Sequence, residues 1–449
     1  MNIVQFGEGN FLRAFADHYF DCLKREGRSI SVTIVKPISF GSLAQFAAQD
    51  NRYHVVLRGM ENGKRVESVQ EIGVVSAAVD PFCEWERYLA LAEDPELKVI
   101  VSNTTEAGIR FDEKDAFEEE LNNTYPAKLT KFLYRRFRAL GGSANSGVYL
   151  LPVELIDDNA ARLFACVEDY IRLWNLPEDF AEWNRTCNYY CATLVDRIVT
   201  GYPKEDVEAV EKLIGEPDKL VTVGEPFGLW VVEKKGEIES LLPAGKHGVN
   251  VVFAEDIGFY KKRKVRILNG AHTTLVPLGM RLGVETVGAF VSDELLSAFL
   301  DRVIHGEIVP NAGGNVGELR AYANEILDRF SNPFLKHRLA SISLNSVSKW
   351  RARVLPSVKD CIKNTGRAPR GLMIGFACLL SNYMTGRVPL ADEERVLAFF
   401  AKKPSLAEVL ANEELWGEDL RFLQSDVQAL IERIESGKEK EAVEEYVRA

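Results

Sequence analysis

The chain has 449 residues, 46% hydrophobic and 27% charged, enough to bury a large core in two or three domains and too apolar for a disordered protein. A formal net charge of −11 repels phosphate backbones and anionic lipid heads, so neither nucleic acid nor membrane is expected as a partner. No apolar run reaches the roughly 18 residues a membrane span needs, the first residues show no secretory pattern, and an odd seven cysteines suit reduced thiols, so a cytoplasmic location is expected.

Residues 2–6 read as a short buried strand, followed by Gly7-Glu8-Gly9 and an amphipathic stretch 10–24 with Phe11, Leu12, Phe15, Tyr19 and Leu23 at helical spacing. Ser31–Val35 is a second β-rich run, closed by Lys36-Pro37. His54–Leu57 and Val66–Val75 are strand-like, with a turn at 61–64 between them. Lys98–Val101 is another buried strand, ending in Ser102-Asn103-Thr104-Thr105, and Val148–Val153 a further one, with Glu154 just beyond. This alternation predicts an α/β, Rossmann-like doubly wound domain with a mostly parallel sheet. Residues 157–255 are mixed, with a run at 191–198 and a strand-like Leu229–Val232. From Tyr260 onward helical patterns dominate: 264–282, 293–304, 316–330, 371–384, 393–402 and 418–436, with 433–449 as a solvated final helix. The expected organisation is a dinucleotide-binding domain over 1–256 and a mostly α-helical substrate and catalytic domain over 257–449.

Three constellations could carry chemistry. Gly7-x-Gly9 between a strand and a helix lets a pyrophosphate approach the backbone at a helix N-terminus, although Leu12 stands where a third glycine is usual. The acid that would grip a ribose 2′-hydroxyl after the second strand is replaced by Lys36, which is either a surface lysine or a partner for a 2′-phosphate, leaving NAD and NADP both open. In a straight α-helix, His272 would lie about 80° and Asn269 about 140° round from Lys264, so the three fit one face. A lysine there can exchange a proton with a substrate oxygen, and an amide and an imidazole can hold that oxygen as it gains charge; the alternative is a surface lysine, a capping Asn and a packed His. The basic stretch Arg329 to Arg353, with Lys349, suits either a carboxylate substrate or a solvated face. There is no P-loop, His-Glu-x-x-His or Gly-x-Ser-x-Gly string, and no His or Cys pairing typical of zinc.

Gly7-Glu-Gly-Asn-Phe-Leu-Arg13, Val195-Asp-Arg-Ile198 and Lys264-x4-Asn269-x2-His272 together resemble the polyol-specific long-chain dehydrogenase/reductase family, in order over nearly the whole chain. Finer strings, Leu194 to Pro203, Gly224-Glu-Pro-Phe227 and Lys264 to Thr273, resemble its tagaturonate reductase branch. The resemblance implies metal-independent, NAD-dependent reduction of a keto-hexuronate. Lys264 would be the general acid/base, with Asn269 on the developing oxyanion and His272 orienting the substrate. Gly7, Gly9, Asn10, Phe11, Lys36, Asn103 and Thr104 are the candidate cofactor residues; Lys349, Arg353 and Asp196 are the candidate substrate residues. One departure stands out: where mannitol dehydrogenases carry a second oxyanion asparagine, this chain has Ala192, so another donor such as Thr193 or a water replaces it, or the hole has one donor fewer. A monomer or small homo-oligomer acting on a sugar acid is expected.

Overall fold

The computed structural model describes residues 1–105, 107–118 and 124–449. The chain divides into two compact units, Met1–Arg58 with Val66–Ile257, and Gly59–Arg65 with Gly258–Ala449. No helix among the described residues is long and apolar enough to cross a membrane.

The first unit is built on a six-stranded sheet. Its strands are β1 (Asn2–Phe6), β2 (Ser31–Val35), β5 (Val75–Val79), β6 (Leu97–Ser102), β7 (Tyr149–Pro152) and β8 (Tyr189–Tyr190), in the order β5-β2-β1-β6-β7-β8 and all parallel. The strands are apolar on both faces because both are covered. Ile3, Val32, Ile34 and Val99 pack with Phe15, Tyr19 and Phe20 of the helical run 10–25. Their neighbours Val4, Val35 and Ile100 point the other way, onto Leu129, Phe132 and Leu133 of the helix Tyr125–Leu140. Strand order reverses between β1 and β6, and in such a sheet ligands bind in the crevice at the carboxyl ends of the strands there.

The single strand expected over 66–75 is two strands. β3 (Tyr53–Glu61) and β4 (Lys64–Ile72) are joined by Asn62 and Gly63, both at positive φ (52° and 70°), the backbone a type I′ hairpin requires. After Gly73 and Val74 the chain leaves that hairpin and β5 joins the main sheet; its Ser76-Ala77-Ala78 centre lacks the β-branched signal by which strands are usually read. Two four-stranded sheets accompany it: β10 (Val199–Gly201), β11 (Thr222–Gly224), β3 and β4, the hairpin tip Gly59–Arg65 being assigned to the second unit, and β13 (Gly245–His247), β14 (Val249–Ala254), β12 (Leu229–Glu233) and β9 (Thr193–Asp196).

The buried Arg197 ties these pieces together. Its guanidinium donates to the carbonyls of Ala14 (2.6 Å), Pro226 (3.1 Å), Phe227 (2.9 Å) and Gly248 (2.7 Å), while Glu225 accepts from Ile198 N–H at 2.6 Å. The strings Val195-Asp-Arg-Ile198 and Gly224-Glu-Pro-Phe227 therefore meet as one structural joint.

The second unit is helical. At its centre runs the helix Arg370–Thr385, apolar all round and buried from Gly371 to Tyr383, as a core helix should be. The last helix, Glu439–Arg448, is not the solvated tail expected from its charges. Ala442, Val443 and Tyr446 are buried, Tyr446 packs edge-on against Phe299, and the buried Glu439 carboxylate lies 3.5 Å from Arg281 Nε. Three apolar residues at helical spacing dock it despite the surrounding charge.

Candidate functional site

In the first unit, the turn after β1 is dictated by Gly7, whose φ of 131° disfavours any side chain. A Cβ there would stand 2.8 Å from Leu12 Cδ1 and 3.1 Å from the Asn103 carbonyl oxygen, so the turn lies directly against the loop after β6. Leu12, in the place of the usual third glycine, is buried and fills the space beneath Gly7. A Cβ on Gly9 would meet nothing within 4 Å. Gly9 immediately precedes the helical run, whose first N–H groups have no intrahelical partner, so this opening fits a pyrophosphate.

The side chains of Asn10 and Phe11 have internal partners. Asn10 Oδ1 accepts from Arg13 at 2.7 Å, and Phe11 stacks on Phe15 at 4.9 Å. Asn103 N–H donates to the Phe6 carbonyl at 3.0 Å. Thr104 N–H and Oγ1 both donate to Glu154 Oε1 at 3.0 Å, and Ser102 Oγ donates to Oε2 at 3.1 Å; burial pushes this carboxyl upward in pKa. Glu154 thus holds the loop after β6 in place, a role signalled in the sequence only by an acid standing directly after an apolar strand.

Beside this turn lies a cleft of about 310 Å³ lined by Ile38, Phe40, Phe82, Thr104, Arg110 and Lys128, among others. Phe40 is 79% exposed, and neither it nor Phe82 stood out in the sequence. Open space at Gly9, the close approach at Gly7 and this cleft, all at the carboxyl ends of parallel strands, fit an extended dinucleotide.

Lys36 is neither a surface lysine nor an available cation. It is buried, its Nζ lies 2.5 Å from Asp80 Oδ2, and it donates to the Gly41 carbonyl at 3.3 Å. Asp196 ends β9 and is buried. At the Ala192 departure, Ala192 N–H donates to Glu233 at 3.0 Å, and the Thr193 hydroxyl gives its one proton to the Pro152 carbonyl at 2.5 Å. The Thr193 hydroxyl proton is thus committed to the backbone rather than to an oxyanion.

In the second unit, Lys264 ends the helix Gly258–Lys264, residues Val265–Asn269 form a π-turn, and the α-helix resumes over Gly270–Arg281. Gly270 N–H reaches the Val265 carbonyl, an i→i+5 bond. This overturns the straight-helix geometry, in which Asn269 lay about 140° from Lys264. An i→i+5 turn sets residue 269 roughly one turn above 264, on the same side, and such turns recur at functional sites. His272, one α-turn further on from Asn269, is buried; its ring stacks on Phe330 at 4.4 Å and meets His337 edge-on at 5.0 Å. Burial lowers the pKa of His337.

The helix Ser346–Arg353 packs against this run. A Cβ on Gly270 would lie 3.4 Å from the Arg353 carbonyl oxygen, so glycine lets the two helices approach between Asn269 and His272. Lys349 and Arg353 stand four apart on that helix. Lys349 spends one of its three donors on the Ile342 carbonyl at 2.8 Å, and its pKa is lowered by burial and by Arg353, against an opposing pull from Asp392. Burial also lowers Arg353. Trp350 between them faces the core, stacked on Phe376 at 3.7 Å. The second unit therefore gathers a lysine, an amide and an imidazole on one helical run, with two cations on the helix packed against it. Among the described residues no group of three or more His, Cys, Asp or Glu is placed to hold a metal ion.

Residues 1–242 match the mannitol dehydrogenase Rossmann domain and residues 256–440 the mannitol dehydrogenase C-terminal domain. The chain is 36% identical to the altronate oxidoreductase of Phocaeicola vulgatus, over 98% of this chain and 95% of that protein. It is 38% identical to that of Bacillus subtilis, over 93% and 88%, and 37% identical to that of Escherichia coli O7:K1, over 96% and 92%. Among solved structures, a substrate-free D-sorbitol dehydrogenase superposes with a TM-score of 0.83 at 22% identity, covering 98% of this chain and 94% of that one. The mannitol 2-dehydrogenase of Pseudomonas fluorescens, in complex with NAD and D-mannitol, gives 0.67 at 20% identity, covering 100% and 94%; at these identities the likeness is one of fold. Two consecutive domain matches and relatives well above 30% identity over nearly the full length agree: the chain belongs to the mannitol dehydrogenase family.

Proposed function

We propose that this chain is an NADH-dependent reductase of a keto-hexuronate, converting tagaturonate to altronate reversibly. The observation that carries the reading is the Lys264, Asn269 and His272 set on one helical run, with Lys349 and Arg353 on the helix beside it. Altronate oxidoreductases as near full-length relatives support the choice of substrate class.

Reduced nicotinamide, when bound, supplies the hydride; Gly7, Gly9, the first N–H groups of the helical run and the cleft at Ile38 and Phe40 would hold the dinucleotide. Lys264, as an ammonium, donates a proton to the ketone oxygen, and in the reverse direction it must be neutral to accept the proton of the alcohol. The Asn269 amide donates to that oxygen while it carries charge, and His272, its ring fixed by Phe330, orients it. Lys349 and Arg353 receive the carboxylate, a role that two cations four apart on one helix suit. With Ala192 and Thr193 supplying no side-chain donor, the charged oxygen rests on Asn269, His272 and Lys264 in this scheme.

NADH oxidation measured with tagaturonate, fructuronate and fructose tests the reading. Turnover greatest with tagaturonate is expected. Greater turnover with fructuronate would make the chain a fructuronate reductase, and with fructose a polyol dehydrogenase. NADH binding without turnover of any of them would make it a nucleotide sensor.

A further inference from the structure

The position after the second strand of a dinucleotide-binding sheet usually carries an acid that accepts from the adenosine ribose 2′-hydroxyl, and cations near it admit a 2′-phosphate. This chain has Lys36 there, which by itself would favour the phosphate. The structure surrounds that lysine with acid. Lys36 N–H bonds to the Val79 carbonyl at 3.1 Å, so Lys36 and Asp80 leave the ends of the adjacent parallel strands β2 and β5 side by side. The Lys36 side chain is 5% exposed, and its Nζ sits 2.5 Å from Asp80 Oδ2 and 5.5 Å from the centre of the Phe82 ring. Asp80 is fixed in turn, its Oδ1 accepting from Phe82 N–H at 3.0 Å.

A second carboxylate stands close. Glu8, from the Gly7–Gly9 turn, places Oε1 3.3 Å from where a Cβ on Gly41 would be, and Lys36 donates to the Gly41 carbonyl. Glu8 is raised in pKa chiefly by burial and feels both Lys36 and Asp80. The other cations of the cleft are also engaged: Lys128 Nζ lies 3.5 Å from the Pro37 carbonyl and 4.6 Å from the Phe82 ring centre, and Arg110 pairs with Asp112 at 2.9 Å. Around the end of β2 the Lys36 ammonium therefore faces the carboxylates of Asp80 and Glu8, with Lys128 held on the Pro37 carbonyl beside them. A neutral diol tolerates that field, whereas a phosphate dianion is repelled by it.

We propose that Asp80, reaching across from the neighbouring strand, stands in for the missing acid: it neutralises Lys36 and, with Glu8, makes the chain select NADH over NADPH. The inference rests on the dinucleotide reading of the first unit. The test is a fluorescence titration of the purified full-length protein with NADH and NADPH, comparing wild type, Asp80→Asn, Lys36→Met and the double variant. Wild type is expected to bind NADH at least tenfold more tightly. Asp80→Asn releases the Lys36 ammonium and should shrink that preference at least tenfold, mainly by tightening NADPH; the double variant should lose the gain. Lys36→Met, which leaves Asp80 charged, should keep or widen the preference and decides the matter should Asp80→Asn fail to fold. An unchanged ratio in Asp80→Asn, or tighter NADPH binding in Lys36→Met, overturns the inference while leaving the cofactor site standing. Failure of wild type to bind either nucleotide overturns both.

Discussion

Lys264 and Asn269 stand at the two ends of one π-turn, so the five-residue step between them closes little more than one turn and sets the two positions nearer one face than a straight α-helix would. If this is the proton donor and its oxyanion partner, Lys264→Ala should lower kcat by about 10² to 10⁴. Asn269→Ala should lower it by about 10² to 10³. Both variants should keep the wild-type circular dichroism spectrum, since neither side chain belongs to the core. Turnover near wild type in a folded Lys264→Ala protein would remove the lysine from the mechanism.

The cation pair on the neighbouring helix predicts a split in kinetic constants. Arg353→Met should raise KM for a keto-hexuronate at least tenfold, about 1.4 kcal/mol, because a charge-assisted contact to the carboxylate is lost. A neutral ketose has no such contact to lose, so any residual rate with fructose should be unchanged. Equal losses on both substrates would point to a packing role for Arg353.

Arg197 predicts a large effect on stability. Four backbone carbonyls accept from its guanidinium, and Arg197→Met would remove all four hydrogen bonds at once. At roughly 1.5–3 kcal/mol for each hydrogen bond from a charged donor, partly recovered by relaxation and solvent, a loss of about 3 kcal/mol or more is expected in urea unfolding. A change below about 0.5 kcal/mol, the range of ordinary surface substitutions, would contradict the joint described above.

Asp17 predicts an unusual pH dependence. It is fully buried on the π-turn Arg13–Asp17, accepts from Tyr53 Oη at 2.6 Å and Gln5 Nε2 at 3.2 Å, and burial raises its pKa from 3.8 to about 6. Between these values the folded chain keeps a proton that the unfolded chain has lost, so stability falls as pH rises and the deficit is complete above about pH 6. The difference is worth about 3 kcal/mol. Asp17→Asn removes the titration, so its stability relative to wild type should improve by that order between pH 4 and pH 7.5 in urea unfolding. His18, held neutral by burial with a pKa of about 3, titrates alike in both proteins and cancels. A difference that stays flat with pH would contradict the account.

What was legible in the sequence followed from periodicity. Asn2–Phe6, Ser31–Val35 and Leu97–Ser102 are apolar runs bounded by turn residues, and the glycine turn sits between a strand and a helix as its spacing implies. β5 was hidden because alanine and serine at its centre carry little strand signal. The π-turn was hidden because the helix after it is buried nearly all round, from Gly270 to Gly279, so there is no one-sided apolar stripe whose register could show the extra residue. The fate of Lys36 depended on Asp80, 44 positions away on another strand, and only the sheet order places the two side by side. Thr193 offered a plausible donor on paper, but its hydroxyl proton goes to a carbonyl on β7.

Tagaturonate-dependent NADH oxidation by the purified protein after dialysis against EDTA, run beside Lys264→Ala, decides whether Lys264 carries a metal-independent reduction. Undiminished turnover is expected in the dialysed wild type and a loss of about 10² or more in the variant. No turnover of tagaturonate by a wild type that still binds NADH, or equal rates in the two proteins, would contradict that reading.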